Sequence, residues 1–400
     1  MSKRVILHVG TPKTGTSYAQ DVLFRNQRIL AGRGISYPAD RHDAHFLAAL
    51  DLMGLTWGGL EAEAVGAWDA LASRVRSWSG TTIISHEILA HASRGQVARA
   101  LESFGETEVH LVISVRDLVR QIPAEWQENV KHRAVVGYQQ FLEQLRDPRR
   151  DSRIAAWFWA VQDVPDILDR WGSGLPPERV HVVTVPPKGA PRGELWQRFI
   201  TAFGLAEVNL DLGEERANVS LGVPETVLLR RINQQVNPVL APPDYRPLVR
   251  ELLAHQTWSK RTDSPRLALP PDAHAWAAGL CADWARVLAE RGYDVIGSLD
   301  DLTPAAAGDF TAPEEVLERD VSDAGVDAIQ ALLIEAARLR RREEELLGEL
   351  AESHAALQRS YLRPSYRFRE RLVRMLDRSN TGQRLLGAYR GLRGRNSRSA

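Results

Sequence analysis

The chain has 400 residues, of which 44% are hydrophobic and 26% charged, a balance typical of a globular protein of more than one domain. Acidic and basic residues number 51 each, so the chain lacks the excess positive charge of a nucleic-acid-binding protein, and we expect no nucleic acid partner. Cys281 is the only cysteine, which excludes a disulfide framework and a cysteine-based metal site. Without a signal-like start or an apolar run near the roughly 18 residues that span a bilayer, we expect a cytoplasmic protein.

The first motif is a strand, loop and helix pattern near the start of the chain. The β-branched apolar run from Val5 to Val9 predicts a strand, and the segment from Thr16 to about Leu30 predicts a helix. The loop between them reads G-T-P-K-T-G-T over residues 10–16. Such a loop presents free backbone N–H groups at the positive end of the helix dipole, which favours phosphate binding.

The spacing of this loop is nearly that of the P-loop that binds nucleoside triphosphates, G-x-x-x-x-G-K-[ST]. Gly10, Gly15 and Ser17 match that pattern, but Thr16 stands where the lysine belongs. The only lysine of the loop is Lys13, three residues earlier. This displacement indicates a different anionic group, although a plain Gly-Thr-Pro turn remains an alternative.

Strands and helices then alternate along the chain. Further strands are predicted at 81–85, 108–115 and 179–185, with helical segments between them. This order predicts an α/β fold with a P-loop-like parallel β-sheet flanked by helices. Ligands in such folds bind outside the carboxyl ends of the strands. We therefore expect four stretches to converge on one crevice: Gly10–Ser17, Ser85–Glu87, Ser114–Asp117 and Thr184–Pro187.

Composition divides the chain into four parts. Residues 1–300 form the α/β domain, 301–325 a linker, 326–358 a long helix or coiled coil, and 359–400 a basic tail. The coiled coil, which would allow self-association, is predicted from a heptad pattern; one long helix packed on its own domain is the alternative. The pattern comprises Ile329, Leu332, Ala336, Leu339, Leu346, Leu350 and Leu357.

The basic tail contains twelve arginines and two acidic residues, a net charge of +10, so residues 1–358 carry −10. Apolar residues such as Leu372, Val373 and Leu376 lie among the arginines. This pattern suits an amphipathic helix on an anionic membrane, which would place the protein peripherally at the inner membrane face. A solvated, disordered tail is an equal alternative.

Arg116 adds a second phosphate-directed feature, because its guanidinium can bind two phosphate oxygens at once. Together these residues resemble the sulfotransferase family, which uses 3′-phosphoadenosine 5′-phosphosulfate (PAPS). Residues 12–17, P-K-T-G-T-S, are similar to that family's loop for the 5′-phosphosulfate. Val115-Arg116-Asp117 resembles the start of its 3′-phosphate motif. The resemblance spans roughly residues 4–295 and excludes the coiled-coil segment and the tail.

The chain departs from the family at two positions of the 3′-phosphate motif. Leu118 replaces a proline, and Ala124 stands where the spacing puts a serine. Asn218 and Ser220 are similar to a short Asn-x-Ser segment near the cofactor in carbohydrate-type members. Arg116 therefore carries over as a phosphate ligand, whereas the hydroxyl partner is missing.

The resemblance implies a PAPS-dependent sulfotransferase that transfers a sulfuryl group to a hydroxyl or amine of a carbohydrate, glycolipid or small metabolite, releasing PAP without a metal. Lys13 is expected to stabilise the leaving phosphate oxygen, and Glu87, with His86 close behind it, to accept the acceptor's proton. Either residue could instead only cap the following helix. The implied cofactor-binding residues are Thr11, Pro12, Lys13, Thr14, Gly15, Thr16, Ser17, Arg116, Asn218 and Ser220.

Two other functions stay open on the sequence. The first is a P-loop kinase or NTPase. Thr16 argues against it because a P-loop has a lysine at that position, although Asp117 at a strand end could mimic a metal-binding aspartate. A non-catalytic nucleotide-binding scaffold would act mainly through the coiled coil and the tail. His8, in the middle of the first strand, is expected to be a core residue, whereas His42 and His45 are open candidates for substrate contact.

Overall fold

A computed structural model describes residues 3–213 and 220–362, together with 368 and 371. Within this part of the chain, six strands form one sheet in the order β2-β3-β1-β4-β5-β6, and every neighbouring pair is parallel. The strands are β1 (Arg4–His8), β2 (Ile35–Ser36), β3 (Thr81–Ser85), β4 (Glu108–Val115), β5 (Val180–Thr184) and β6 (Asp294–Ile296). The predicted α/β fold with a parallel sheet is confirmed.

Helices connect the strands and cover the sheet. They are α1 (Thr16–Arg25), α2 (Gln27–Ala31), α3 (Ala44–Met53), α4 (Glu61–Ala64), α5 (Ala67–Ser77), α6 (Arg94–Ser103), α7 (Leu118–Lys131), α8 (Tyr138–Arg146), α9 (Arg153–Gln162), α10 (Val164–Trp171), α11 (Glu194–Phe203), α12 (Val223–Val236), α13 (Pro242–Tyr245), α14 (Pro271–Arg291) and α15 (Glu318–Leu362). A π-helix spans Arg246–Thr257. Short 3₁₀ turns cover Glu87–His91, Pro177–Arg179, Trp258–Lys260, Leu299–Leu302 and Pro313–Glu315.

Burial on both faces explains why the central strands are continuous apolar runs. On one face the core is built with side chains of α1 and α11. Its buried strand residues are Ile6, Ile35, Ile83, Val112 and Val183, and its helix residues include Val22, Leu23, Phe199 and Phe203. Because successive strand residues alternate in direction, Val5 and Leu7 are buried on the opposite face.

The first predicted helix is interrupted at Asn26. This buried side chain donates from Nδ2 to the Val22 and Asp211 carbonyls, at 2.8 Å each, and its Oδ1 accepts from the Asp211 N–H at 2.8 Å. Helix α2 therefore starts as a separate element at Gln27. Sequence patterning predicted one helix here because contacts with a segment 185 residues away leave no local signal.

The chain divides into two units, Met1–Ala328 and Ile329–Ala400. Helix α15 begins at Glu318, inside the segment assigned to a linker, and its first turns belong to the first unit. Val321 and Ala324 are buried there, and Trp258 Nε1 donates to the Ala324 carbonyl at 2.9 Å. None of the described helices combines the length and apolar character needed to cross a bilayer.

In the second unit, α15 continues as a single helix to Leu362. The apolar heptad residues are exposed: Ile329, Leu332, Leu339, Leu346, Leu350 and Leu357. The predicted long helix is thus present, while the coiled coil stays a prediction. The basic tail lies outside the described residues except for Arg359, Ser360, Tyr361, Leu362, Phe368 and Arg371.

Candidate active site

The opening loop lies between β1 and α1 at the carboxyl end of the sheet. Gly15 precedes α1 in a left-handed conformation, with φ of 86°, which a glycine adopts at little cost. No side chain caps this N-terminus, and the first turn contains no acidic residue. The first backbone N–H groups of α1 are therefore open to an anion, as the sequence predicted.

The loop hydroxyls divide into structural and free groups. Thr14 Oγ1 donates to the Thr11 carbonyl at 2.6 Å and lies 2.5 Å from Ser114 Oγ, and Thr11 Oγ1 donates to the Ser114 carbonyl at 3.1 Å. These contacts join the loop to β4. Thr16 and Ser17 make no side-chain hydrogen bond to any described residue, so their hydroxyls are available for a ligand.

Lys13 points its ammonium along α7. Its Nζ lies 2.7 Å from Glu128 Oε2, in a half-buried ion pair. Its carbonyl accepts from Arg116 Nη1 at 3.3 Å. Lys13 therefore links Arg116, just after β4, to the far end of α7. Burial would raise the pKa of Glu128, but His132, Lys13 and Lys131 outweigh it and hold that pKa well below its usual range.

Arg116 follows β4, lies beside the loop and is half-buried, with its Nε atom buried. Its Nε has no hydrogen-bond partner among the described residues. Burial, reinforced by Arg120 and opposed by Asp117 and Glu125, lowers the pKa of Arg116 to about 10. A buried guanidinium with an unused donor is costly without an anion, so this residue fits an oxyanion ligand.

Asp117 has a structural role. Its carboxylate caps α7 by accepting from the Arg120 N–H at 2.9 Å, and it also pairs with the Arg120 guanidinium. Arg120 Nη1 in turn donates to the Pro186 carbonyl at 2.8 Å. The carboxylate is thus engaged within the fold, which leaves it poorly placed as the metal-binding aspartate of an NTPase.

Helix α7 presents a polar stripe to the loop, formed by residues spaced three or four apart. Gln121 Nε2 donates to the Pro12 carbonyl at 2.6 Å. Glu125 accepts from Gln162 Nε2 at 3.0 Å, and Glu128 pairs with Lys13. Ala124 lies three residues after Gln121 on the same face and supplies no hydroxyl. Gln121 Oε1 is buried and has no partner among the described residues.

Glu125 is a buried carboxyl that the sequence analysis missed. Burial raises its pKa to about 7, with Lys13 and Gln162 opposing the rise and Glu128 and Glu87 adding to it. Such a carboxyl gains and loses a proton near neutral pH, which is a property of acid–base groups in active sites. Its only sequence signal is a polar residue at helical spacing between Gln121 and Glu128.

Glu87 lies against the opening loop. A Cβ added to Gly10 would lie 2.8 Å from the Glu87 carbonyl oxygen, so only glycine permits this approach. Gln20 Nε2 of α1 donates to Glu87 Oε2 at 2.8 Å. Burial would raise the pKa of Glu87, but His86, Gln20 and the residue's own backbone N–H outweigh it and lower that pKa below its ordinary value. Glu87 is therefore ionised at neutral pH.

His86 caps the 3₁₀ turn that follows β3. Its Nδ1 accepts from the Ile88 N–H at 3.3 Å, and its ring stacks on Phe46 with centroids 5.1 Å apart. Burial lowers its pKa, and Glu87 opposes that effect. The cap uses the Nδ1 lone pair and leaves the proton of the neutral ring on Nε2. His86 thus has the capping role that the sequence analysis left open.

The remaining histidine candidates are placed differently. His8 is buried, with Nδ1 2.8 Å from Ser85 Oγ and Nε2 3.2 Å from Ser114 Oγ, and burial lowers its pKa to about 4. It is a core residue, as predicted. His45 is also buried and accepts from the Ser85 N–H at 3.3 Å. His42 is exposed on the surface.

At the fourth predicted strand end, the hydroxyl and the carbonyl of Thr184 form hydrogen bonds within the fold. Thr184 Oγ1 donates to Asp301 Oδ2 at 2.7 Å, and Arg198 donates to the Thr184 carbonyl at 2.8 Å. Arg198 also pairs with Asp301. Because β3, β1 and β4 are adjacent, the other three stretches meet at one edge of the sheet. Thr184–Pro187 follows β5, the next strand after β4, and contacts Arg120 of α7 through the Pro186 carbonyl. That it joins the same crevice stays a prediction.

The predicted Asn-x-Ser segment is only partly visible. Asn218 lies outside the described residues, and Ser220 is exposed, with its carbonyl accepting from Arg266. The next residue, Leu221, accepts from Gln127 Nε2 of α7 at 2.8 Å. Ser220 therefore lies next to a residue that contacts α7. In the described part of the chain, no group of three or more His, Cys, Asp or Glu residues could hold a metal ion.

Comparison with known proteins adds little. No protein-family model and no curated protein matches the sequence. Among solved structures, the chain resembles the crystal structure of a sulfotransferase from Alicyclobacillus acidocaldarius, with 17% identity over 62% of this chain and 100% of that one. The TM-score of 0.36 is too low to support an argument, so the proposals below rest on the site itself.

Proposed function

We propose that this protein is a PAPS-dependent sulfotransferase. The observation that carries the proposal is the pairing of the opening loop with Arg116. The loop offers the uncapped N-terminus of α1 and the ammonium of Lys13, and Arg116 lies on the neighbouring strand with an unused buried donor. Two separate oxyanion positions on adjacent strands suit a nucleotide with phosphates at both its 5′ and 3′ positions.

On this proposal the 5′-phosphosulfate binds at the α1 N-terminus, with the free hydroxyls of Thr16 and Ser17 as additional donors. The 3′-phosphate binds Arg116, and Thr11, Pro12, Thr14 and Gly15 shape the loop. Gln121 lies on α7 and contacts the loop, and its NH₂ group has a second hydrogen beside the one that it donates to the Pro12 carbonyl. It is our candidate for the hydrogen-bond donor to the 3′-phosphate, in place of the family's serine, where this chain has Ala124.

The reaction is an in-line displacement at sulfur. The acceptor oxygen forms a bond to sulfur while the bond from sulfur to the 5′-phosphate oxygen breaks, releasing PAP. Lys13 stabilises the negative charge that develops on that phosphate oxygen. Glu87, ionised and fixed by Gln20, takes the proton of the acceptor hydroxyl. Asn218 and Ser220 remain candidate nucleotide contacts on this proposal.

Ligand binding separates this proposal from a kinase or NTPase. We expect PAP to raise the melting temperature of the full-length protein, and ATP with Mg²⁺ to have a much smaller effect. Arg116→Met should abolish the shift by PAP but leave a shift by adenosine 5′-phosphosulfate, which has no 3′-phosphate. Stabilisation by ATP alone would refute the proposal in favour of an NTPase.

Replacing Lys13 tests the catalytic role. We expect Lys13→Ala to lower kcat for sulfate transfer from radiolabelled PAPS by about 10²–10³-fold, because a preorganised donor to the leaving oxygen is lost. Glu128 keeps Lys131 and Arg250 as partners, so the variant should fold. The matched control is Lys260→Ala, at an exposed position. Unchanged turnover in Lys13→Ala would refute the catalytic role assigned to Lys13.

A further inference from the structure

A group of cations surrounds Glu128 at the C-terminal end of α7. Glu128 Oε2 lies 2.7 Å from Lys13 Nζ and 3.7 Å from Lys131 Nζ. Its Oε1 lies 3.1 Å from His132 Nε2 and 3.5 Å from Arg250 Nη2. We call Lys131, His132 and Arg250 the basic cluster. Three cationic side chains and the ring of His132 thus converge on one carboxylate.

The charges of this group do not balance. Lys13, Lys131 and Arg250 are the cationic side chains, and Glu128 is the carboxylate they share. Burial lowers the pKa of Lys131, and Glu128 opposes that effect. Among the described residues, Glu125 is the next carboxyl on the stripe, and even its ionised form leaves a net positive charge. The Lys131 side chain is only 11% exposed, so solvent screens this excess weakly. An unbalanced, half-buried positive charge is stabilised when an anion binds.

The backbone around Arg250 gives an independent indication of a ligand site. Arg250 lies in the π-helix Arg246–Thr257, a geometry that is rare and frequently marks functional sites. Its Nε is buried and has no hydrogen-bond partner among the described residues. The neighbouring Glu251 is 3.8 Å from Arg246 and makes no ion pair with Arg250. The guanidinium therefore has an unused donor beside Glu128.

The position of the basic cluster separates it from the donor's 3′-phosphate. Arg116 precedes α7, whereas Lys131 ends it, and 14 helical residues span about 20 Å. Lys13 contacts both ends, with its carbonyl at Arg116 and its ammonium at Glu128. The ammonium of Lys13 lies 2.7 Å from Glu128, so the basic cluster adjoins the lysine that the proposed function assigns to the leaving oxygen.

We infer that the acceptor carries an anionic group, namely a sulfate, phosphate or carboxylate, that binds the basic cluster beside Glu128. This inference rests on the proposed function, because it takes the loop as the donor site. It narrows the acceptor to an acidic carbohydrate or another anionic hydroxyl compound. Lys131 and Arg250 bind the anion, and the hydroxyl to be sulfated is then held near Lys13 and Glu87.

The first test measures anion binding directly. Inorganic sulfate is titrated by calorimetry into the full-length protein saturated with PAP. We expect saturable binding that weakens about tenfold or more in Lys131→Met and in Arg250→Met, since each removes a charged donor. Arg246→Met, on the same π-helix but with a 76% exposed side chain, is the matched control and should bind sulfate normally.

A variant that should bind sulfate more tightly distinguishes loss of the site from general misfolding. Glu128→Gln removes the competing carboxylate and should strengthen sulfate binding, which general damage to the fold cannot do. Absence of saturable binding by the wild type, or binding that survives both cluster variants, would overturn the inference. So would a tenfold loss of PAP affinity in the cluster variants, which would assign the basic cluster to the donor.

The second test uses matched acceptors. Transfer of radiolabelled sulfate from PAPS is compared between glucose and glucose 6-phosphate, and between galactose and galacturonate. We expect the anionic member to have the higher kcat/KM, and Arg250→Met to remove the preference through KM. Equal use of the neutral sugars would overturn the inference while leaving the sulfotransferase proposal intact. Failure of PAP to bind would instead refute that proposal, whatever the sulfate titration shows.

Discussion

The contacts of Lys13 depend on the direction of its side chain, which the sequence does not show. The sequence placed a cation inside the loop but gave no indication of its direction. In the structure the side chain reaches Glu128, so the ammonium already has a carboxylate partner before any donor binds. Arg116, in contrast, has no carboxylate within ion-pair distance among the described residues and retains an unused Nε. Of the two predicted phosphate ligands, Arg116 is therefore the more strongly prepared for an anion.

At the residue scale, Glu87→Gln tests the base. We expect kcat to fall about 10²–10⁴-fold with PAP affinity unchanged, because the amide cannot accept the acceptor's proton. The measurement is the rate of sulfate transfer from PAPS, with Glu102→Gln on the surface as control. Because the pKa of Glu87 is lowered below its ordinary 4.5, the wild-type rate should not fall between pH 8 and 5. A decline centred near pH 7 would assign the base to Glu125 instead.

Glu125 makes the stability of the fold depend on pH. Its pKa is about 7 in the folded protein and 4.5 in its ordinary state, so the folded chain binds more protons between those values. The free energy of unfolding should therefore decrease by roughly 3 kcal/mol as the pH rises from 4.5 through 7, and then remain constant. Glu125→Gln should lack this decrease in urea unfolding at pH 5 and pH 8. Exposed Glu143→Gln is the control, and an identical pH dependence in Glu125→Gln and wild type would contradict the assignment.

At the scale of elements, the site depends on how closely the opening loop approaches the end of β3. The loop contacts the Glu87 backbone only because position 10 lacks a side chain. Helix α1 supplies Gln20 to the same carboxylate, and α7 supplies the polar stripe. Each of these elements starts at the carboxyl edge of the sheet. Their side chains meet because parallel strands bring successive helices to one edge.

Gly10→Ala tests this close approach. Gly10 has φ of 125°, and the added Cβ would lie 2.8 Å from the Glu87 carbonyl oxygen, so the loop and the 3₁₀ turn must separate. We expect the free energy of unfolding to fall by about 2 kcal/mol or more. Overpacking costs about 1–3 kcal/mol, and the positive φ of a non-glycine residue adds to that cost. Gly54→Ala is the control, since its φ is 62° but nothing lies within 4 Å. Equal losses of stability in urea unfolding would show that the contact with Glu87 is unimportant.

At the scale of the whole molecule, α15 is the candidate for self-association. Its heptad residue Leu346 and its neighbour Leu347 are 48% and 59% exposed, so burial within the chain accounts for neither. If the heptad forms a coiled coil with a second copy, Leu346→Asp should weaken self-association in sedimentation equilibrium. Leu347→Asp, outside the heptad pattern, should not. A monomeric wild-type protein, or equal effects of both changes, would exclude the coiled coil.

The sequence alone predicted the strands β1, β3, β4 and β5, the opening loop and the long C-terminal helix. These features depend on local patterns: β-branched runs, glycines at fixed spacing and helical periodicity. The same patterns were sufficient to bring Lys13, Glu87 and Arg116 to one edge of a parallel sheet. The convergence was predictable because the carboxyl ends of parallel strands lie at the same edge of a sheet.

Only the tertiary structure decided what these side chains do at that edge. Asp301 accepts a hydrogen bond from Thr184 at the end of β5, 117 residues away, and Asn26 is fixed by a segment 185 residues away. The raised pKa of Glu125 and the cations around Glu128 likewise depend on burial and on charges from separate helices. Burial and charge act through space between distant parts of the chain, so no local pattern in the sequence contains them.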